Sequence, residues 1–293
     1  MATATQPAAT PSTRTAQLRI PLLDHWHLLS LDAPSVAALW TWLLAAANHI
    51  HLPPTAILAM AIAVWTLYAA DRLLDARKDT RTNQHHDLEP RHLFHRRHSR
   101  AFRLGIVIAA VALAILLPDL APPSIRLYLI LGSLLLAYFA AIHTGTRRLP
   151  KELAVGIFFS AATFIPTVAQ QPALRPQLLP PAILFAILCS LNCLFIYAWE
   201  HPAPHVPSRA HATTRLALRH LPFLSITILT ASAILICLTQ NRQPPWPIPF
   251  ACALSALFLL LLHRRRHTLA PITLRAAADL ALITPLLFLP FLK

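Results

Sequence analysis

Apolar residues along this chain gather into nine stretches, at 34–50, 54–74, 102–117, 125–144, 153–169, 178–199, 221–238, 248–263 and 274–292, separated by short polar gaps. A helix that crosses a bilayer needs about 20 mostly apolar residues, and each stretch approaches that length. The pattern predicts an all-α polytopic membrane protein, a bundle of about nine transmembrane helices. Gaps on one side are short and proline-rich, as in His51-Leu52-Pro53-Pro54 and Gln243-Pro244-Pro245-Trp246-Pro247, and read as tight turns. With four glycines in 293 residues, close helix approach is expected to rest on Ala, Ser and Thr rather than on GxxxG seams.

Composition points the same way. Apolar residues make up 56% of the chain and charged ones 12%, whereas a soluble domain carries about a quarter charged residues. The net charge of +14 would suggest a nucleic-acid partner in a soluble protein, but its placement argues otherwise. Of the 25 Lys and Arg, all except Arg126, Arg175, Arg242 and Lys293 fall in the amino-terminal tail, in the gaps after the second, fourth, sixth and eighth stretches, or at adjoining helix ends. Positive charge that alternates with the spans marks cytoplasmic loops. It predicts a cytoplasmic amino terminus, an external carboxyl terminus and insertion in a bacterial cytoplasmic (inner) membrane. Nucleic-acid binding is not expected, because no aromatic-interleaved basic face accompanies the charge.

Residues 1–30 read as an amino-terminal tail, disordered and then interfacial around Trp26, and residues 31–293 as one transmembrane domain. The first twenty residues lack the apolar core of a cleaved secretory signal. Cys189, Cys193, Cys237 and Cys252 lie inside predicted spans and read as small packing residues. His85, His86, His92, His95 and His98 are interleaved with arginines, which disfavours a bound dication. That region is expected to be a solvated loop near anionic lipid headgroups.

The candidate chemistry starts at the end of the second stretch, in Asp71-Arg72-Leu73-Leu74-Asp75-Ala76-Arg77-Lys78-Asp79. Four-residue spacing puts Asp71, Asp75 and Asp79 on one face if the helix persists. A charge inside a span costs roughly 2.5 to 3.5 kcal/mol at the bilayer centre, less toward the interface, and three acids on one face repel each other. A hard cation such as Mg2+ would relieve this, since it commonly binds through one or two carboxylates plus the phosphate oxygens of its substrate. The alternative is an interfacial helix end whose aspartates pair in water with Arg72, Arg77 and Lys78. Most of the eleven acids lie on the predicted cytoplasmic side, so a site should open there. Deeper in the bundle, Asn192 could touch substrate or hydrogen-bond another helix. Asp279, one turn after Arg275, reads as half of a local ion pair.

Nine helices with an aspartate-rich stretch at the cytoplasmic end of the second resemble the UbiA superfamily of intramembrane prenyltransferases. The family's first motif is Asn-Asp-x-x-Asp-x-x-x-Asp, and the closest segment here is Leu67-Tyr68-Ala69-Ala70-Asp71-Arg72-Leu73-Leu74-Asp75. Asp71 and Asp75 are kept, while Leu67 and Tyr68 stand where the family has Asn and Asp. The second motif belongs after the sixth helix, where this chain has Glu200 and then no acid before Asp279. The resemblance implies Mg2+ held by Asp71, Asp75, Asp79 and Glu200, and catalytic roles for Asp71, Asp75 and Arg72. It implies that Arg147, Arg148 and Lys151 hold the diphosphate, while the Tyr68 hydroxyl could stand in for a missing carboxylate.

Taken together, the expected activity is Mg2+-assisted transfer of a polyprenyl group from an allylic diphosphate to an aromatic or other lipophilic acceptor. Partners would be that diphosphate, the acceptor and membrane lipids. The competing expectation is a non-catalytic multi-pass membrane protein, lipid-binding or transporting, on the same scaffold with a degenerate metal site. No internal repeat of the kind transporters often show is visible.

Overall fold

A computed structural model describes residues 18–81, 90–144, 150–201, 211–238 and 245–292. Side chains within 75–81, 90–92 and 142–144 also lie outside the described set. Twelve α-helices follow in order: α1 Pro21–Leu28, α2 Asp32–Ala47, α3 Pro54–Arg81, α4 Pro90–Arg97, α5 Ser99–Leu116, α6 Pro122–Thr144, α7 Lys151–Gln170, α8 Arg175–Glu200, α9 Ala212–Arg219, α10 Leu221–Leu238, α11 Pro247–Arg265 and α12 Pro271–Leu280. Six of them open on proline, whose missing N–H is unpaired at that position in any case and whose fixed φ suits the first turn. The proline-rich gaps are therefore helix starts as well as turns.

Among the described residues, seven helices are long and apolar enough to cross a membrane, or eight if the bent pair α1 and α2 counts as one span. The outer faces of α5 and α6 expose Leu104, Ile108, Ile115, Leu129 and Leu136. Water would penalise such faces and lipid does not, so the chain is an integral membrane protein of helical, multi-pass build. The first expected span coincides with α2, and the ninth with α12 and the 3-10 turn Thr284–Phe288 that follows it.

α8 forms the middle of the bundle and packs against α7, α10, α11 and α12, while α2 packs against α3, α7 and α12. Trp40 of α2 and Phe185 of α8 stack at 4.0 Å between ring centroids in the core. The α7–α8 seam closes on Gly156, where a Cβ would overlap Ser190 Oγ and the Ala186 carbonyl. One glycine thus does what Ala, Ser and Thr alone were expected to do.

Breaks in the helices need partners for their backbone groups where no water is at hand. α1 and α2 meet at 85°, through Ser30 in the left-handed region at φ 59°. Carbonyls at the break accept from α3: Arg72 Nη1 donates to His27 O at 2.8 Å, which also takes the Ser30 amide, and Trp65 Nε1 donates to Leu29 O at 3.1 Å. At the other end of the chain, Trp40 Nε1 donates to Leu282 O at 2.8 Å just past α12, and Thr284 Oγ1 donates to Ala251 O at 3.0 Å. Pro166 inside α7 leaves the Ala162 carbonyl without its helical donor, and Tyr128 of α6 supplies one at 3.4 Å.

α4 departs from expectation. His95 belongs to a helix packed against α1 and α3, not to a solvated loop, and is fully buried. Its ring lies 4.4 Å from that of Phe102, with Nε2 3.2 Å from Ser30 Oγ. The arginine-rich neighbourhood hid one inward position among several outward ones. The amino-terminal segment is also tied down: Leu18 exchanges backbone hydrogen bonds of 3.0 and 2.9 Å with Thr268 and Ala270.

Candidate functional site

α3 is one continuous helix from Pro54 to Arg81, and its apolar part ends at Leu74. That continuity places Asp71, Asp75 and Asp79 at one-turn spacing, exposed Asp71 in the last turn of the apolar part and the other two beyond it. The Asp75 and Asp79 side chains lie outside the described residues, as do Arg147 and Arg148. Lys151 is the exposed first residue of α7. Its neighbour Glu152 accepts a 3.0 Å hydrogen bond from Thr214 of α9.

Arg72, one residue from exposed Asp71, turns into the protein. Its Nη2 donates to Asp32 Oδ2 at 3.1 Å, and its guanidinium lies 5.7 Å from the centroid of the Tyr68 ring. Asp32 has no exposed surface. It also receives His27 Nδ1 at 2.5 Å on Oδ2 and the Ala33 amide at 3.0 Å on Oδ1. A buried carboxylate is tolerated when its lone pairs are filled by charged or polar donors, and Asp32 meets that condition from three sides. A neighbouring link closes the same end of the bundle: Thr273 of α12 donates to Asp24 Oδ1 at 2.6 Å.

Asn192 of α8 is buried and donates Nδ2 to Asp279 Oδ1 of α12 at 2.8 Å. Asp279 was expected to pair with Arg275; instead Arg275 forms an ion pair with Glu200 at the end of α8. The reason is helix direction: α12 packs against α8, so Arg275 and Asp279 each meet a residue of α8 rather than each other. Among the described residues, one ring nitrogen of His27 and one carboxylate oxygen from each of Asp32 and Asp279 lie within 4.8 Å of one another. The polar centre is thus assembled from α1, α2, α3, α8 and α12.

Glu200 lines a separate cavity of about 390 Å3, with Trp199, His263, Arg266, Leu274 and Arg275. Neither Asp71 nor Asn192 lines it, so the structure does not gather Asp71, Asn192 and Glu200 around this one cavity. For a hard cation, Asp71 and Asp75 provide oxygen donors one turn apart on one helix, which suits Mg2+. Glu200 is engaged by Arg275.

Sequence reasoning passed over His27 and Asp32 as site residues. The available signal was a lone acid opening an apolar stretch, with a histidine five residues before it; intramembrane ionisable groups are functional candidates by default. Comparison with protein-family models, with curated proteins and with solved structures finds no match to this chain.

Proposed function

We propose that the protein is a UbiA-like intramembrane prenyltransferase, transferring a polyprenyl group from an allylic diphosphate to a lipophilic acceptor at the cytoplasmic face of a bacterial inner membrane. The observation that carries the reading is α3: it extends as a single helix past its apolar part and presents Asp71 and Asp75 at one-turn spacing. In this reading the passes number nine, with α1 and α2 forming the first and α12 with its 3-10 turn the last. Asp71 and Asp75, with Asp79 a turn further on, would hold Mg2+, which neutralises diphosphate oxygens when bound. Lys151, exposed at the start of α7, would draw the diphosphate by charge, with Arg147 and Arg148 preceding it in sequence. Arg72 would act by position, fixing the end of α3 to α1 and α2. Tyr68 and Asn192 would face the apolar side of the substrate.

The test is prenyl transfer in membranes supplied with Mg2+. Asp75→Asn should lower transfer at least about a hundredfold, as expected when a charge partner of a transition state is lost. Asp87→Asn, outside the motif, should change little. If the wild type neither transfers nor binds an allylic diphosphate in a Mg2+-dependent way, across chain lengths and acceptors, the enzyme reading falls. A non-catalytic lipid-binding or transport role would then lead; the pairing of Glu200 with Arg275 and the presence of Leu67 and Tyr68 in the first motif favour it.

A further inference from the structure

We infer that the cavity between the ends of α8 and α11 and the start of α12 binds a phosphate-ester anion through Arg266 and His263. The site is separate from the α3 aspartates, requires no Mg2+ and stands independently of the prenyl-transfer reading.

The first observation is the proton on His263. Trp199 Nε1 lies 3.1 Å from His263 Nδ1. An indole nitrogen only donates, so Nδ1 carries the lone pair and the imidazole proton sits on Nε2. Arg266 Nη1 lies 3.4 Å from that Nε2, and a guanidinium also only donates. Two N–H donors thus stand side by side in the cavity lining, and neither can serve the other. One anionic oxygen, or two on the same phosphorus, accepts from both, and the guanidinium fork matches phosphate oxygens. The pair is held in place. The rings of Phe195 and Trp199 lie 5.1 and 6.5 Å from the imidazole between centroids, and Arg266 Nη1 donates to His263 O at 2.8 Å.

Charge and shape select the ligand. Glu200 and Arg275 pair within the same lining and cancel. Arg266 has no carboxylate partner among the described residues, so its positive charge remains, with exposed Arg264 and Arg265 beside it. The volume of about 390 Å3 lies in the range of small-molecule pockets, about 300 to 1,000 Å3. Ile196, Leu269 and Leu274 supply apolar walls, which suit the carbon skeleton next to a phosphate. The apolar spans of α8 and α11 end at Glu200 and Arg265. At that level lipid phosphates are the abundant anions, and basic pockets between spans take such headgroups.

The experiment uses the full chain in a non-ionic detergent with EDTA present, so that Mg2+-dependent binding at the α3 aspartates does not contribute. Native mass spectrometry counts ligand per chain as one of three probes is titrated: dioleoyl phosphatidic acid, glycerol 3-phosphate, which is its headgroup without tails, or dioleoylglycerol, its tails without phosphate. One phosphatidic acid per chain is expected, and no dioleoylglycerol at the same concentration. Glycerol 3-phosphate bound as tightly, with the same dependence on Arg266, supports the site and assigns its anion to the aqueous phase rather than the leaflet. Arg266→Gln should weaken binding at least about tenfold, as loss of a charged hydrogen-bond donor does. Arg264→Gln removes an equal charge outside the lining and should cost less than about twofold. Trp199→Phe should weaken binding about threefold or more with no change of charge, because His263 can then carry its proton on Nδ1 and accept from Arg266 at Nε2. Dioleoylglycerol bound as well as phosphatidic acid, or equal losses in Arg266→Gln and Arg264→Gln, overturns the site. Should Arg266→Gln fail to fold, Trp199→Phe decides, and unchanged binding there overturns the proposal.

Discussion

Asp71 and Arg72 are neighbours in sequence and belong to different worlds. Asp71 is exposed near the end of α3, where the four-residue spacing of acids begins; Arg72 turns about 100° around the helix and enters the buried centre of His27, Asp32, Asn192 and Asp279. The acidic face belongs to one helix and rests on local spacing. The buried centre draws on five helices and exists only when the bundle is closed. Removing a charge has opposite meanings in the two places. At the exposed face water can replace a lost interaction, so a substitution there reads out chemistry. In the centre nothing replaces it, so a substitution reads out the fold first.

The largest effect that would break this contrast is expected at Asp32. Asp32→Ala removes the acceptor of Arg72 and His27 and strands a buried guanidinium. Such a change costs about 3 to 5 kcal/mol, measurable as loss of folded protein or a lowered unfolding midpoint in detergent. A shift below about 1 kcal/mol, on the scale of a surface ion pair, would mean that the centre is solvated. Asn192→Ala should come next, at about 1 to 3 kcal/mol, because it strips Asp279 of its hydrogen-bond donor. A neutral result would say that the α8–α12 link is not made. Asp71→Asn sits at the far end, within about 0.5 kcal/mol of wild type in stability. Unfolding measured alongside diphosphate binding sharpens the point, since binding alone should respond. A large loss of stability in Asp71→Asn would erase the distinction between the two regions.

The two regions also differ in how far they could be read from the chain. The α3 face was legible because helix periodicity is local: four-residue spacing in Asp71, Asp75 and Asp79 needs only that the helix continue past Leu74. The spanning helices were legible because lipid demands long apolar runs, and the turns because proline opens so many helices. The centre was hidden because its members are far apart, His27 and Asp279 above all, and no periodicity links them. Asp279 was assigned to Arg275 by a local rule that holds for an isolated helix and yields when a neighbouring helix offers partners to both. His95 was misplaced for a related reason: charge density describes a segment on average, and burial is decided one position at a time. The break after α12 was equally unreadable, since an apolar run of helical length does not reveal that Trp40 waits to pair with the Leu282 carbonyl, or Ser255 and the Ala251 carbonyl with the Thr284 hydroxyl.

The bond from Trp40 to the Leu282 carbonyl joins residues 242 positions apart. On a ribosome adding about 5 to 20 residues per second, the first span waits on the order of tens of seconds for the segment that completes it. Asp279 and Thr273, which close the same region, are made late as well, Thr273 lying 249 positions after its partner Asp24. Nascent chains therefore pass through a long interval in which His27, Asp32 and Trp40 are inserted without their carboxyl-terminal partners. Assembly of the polar centre becomes a signal that α12 has been made. A chain that stops before α12 carries the earlier spans but leaves Trp40, Asn192 and Asp24 without these partners.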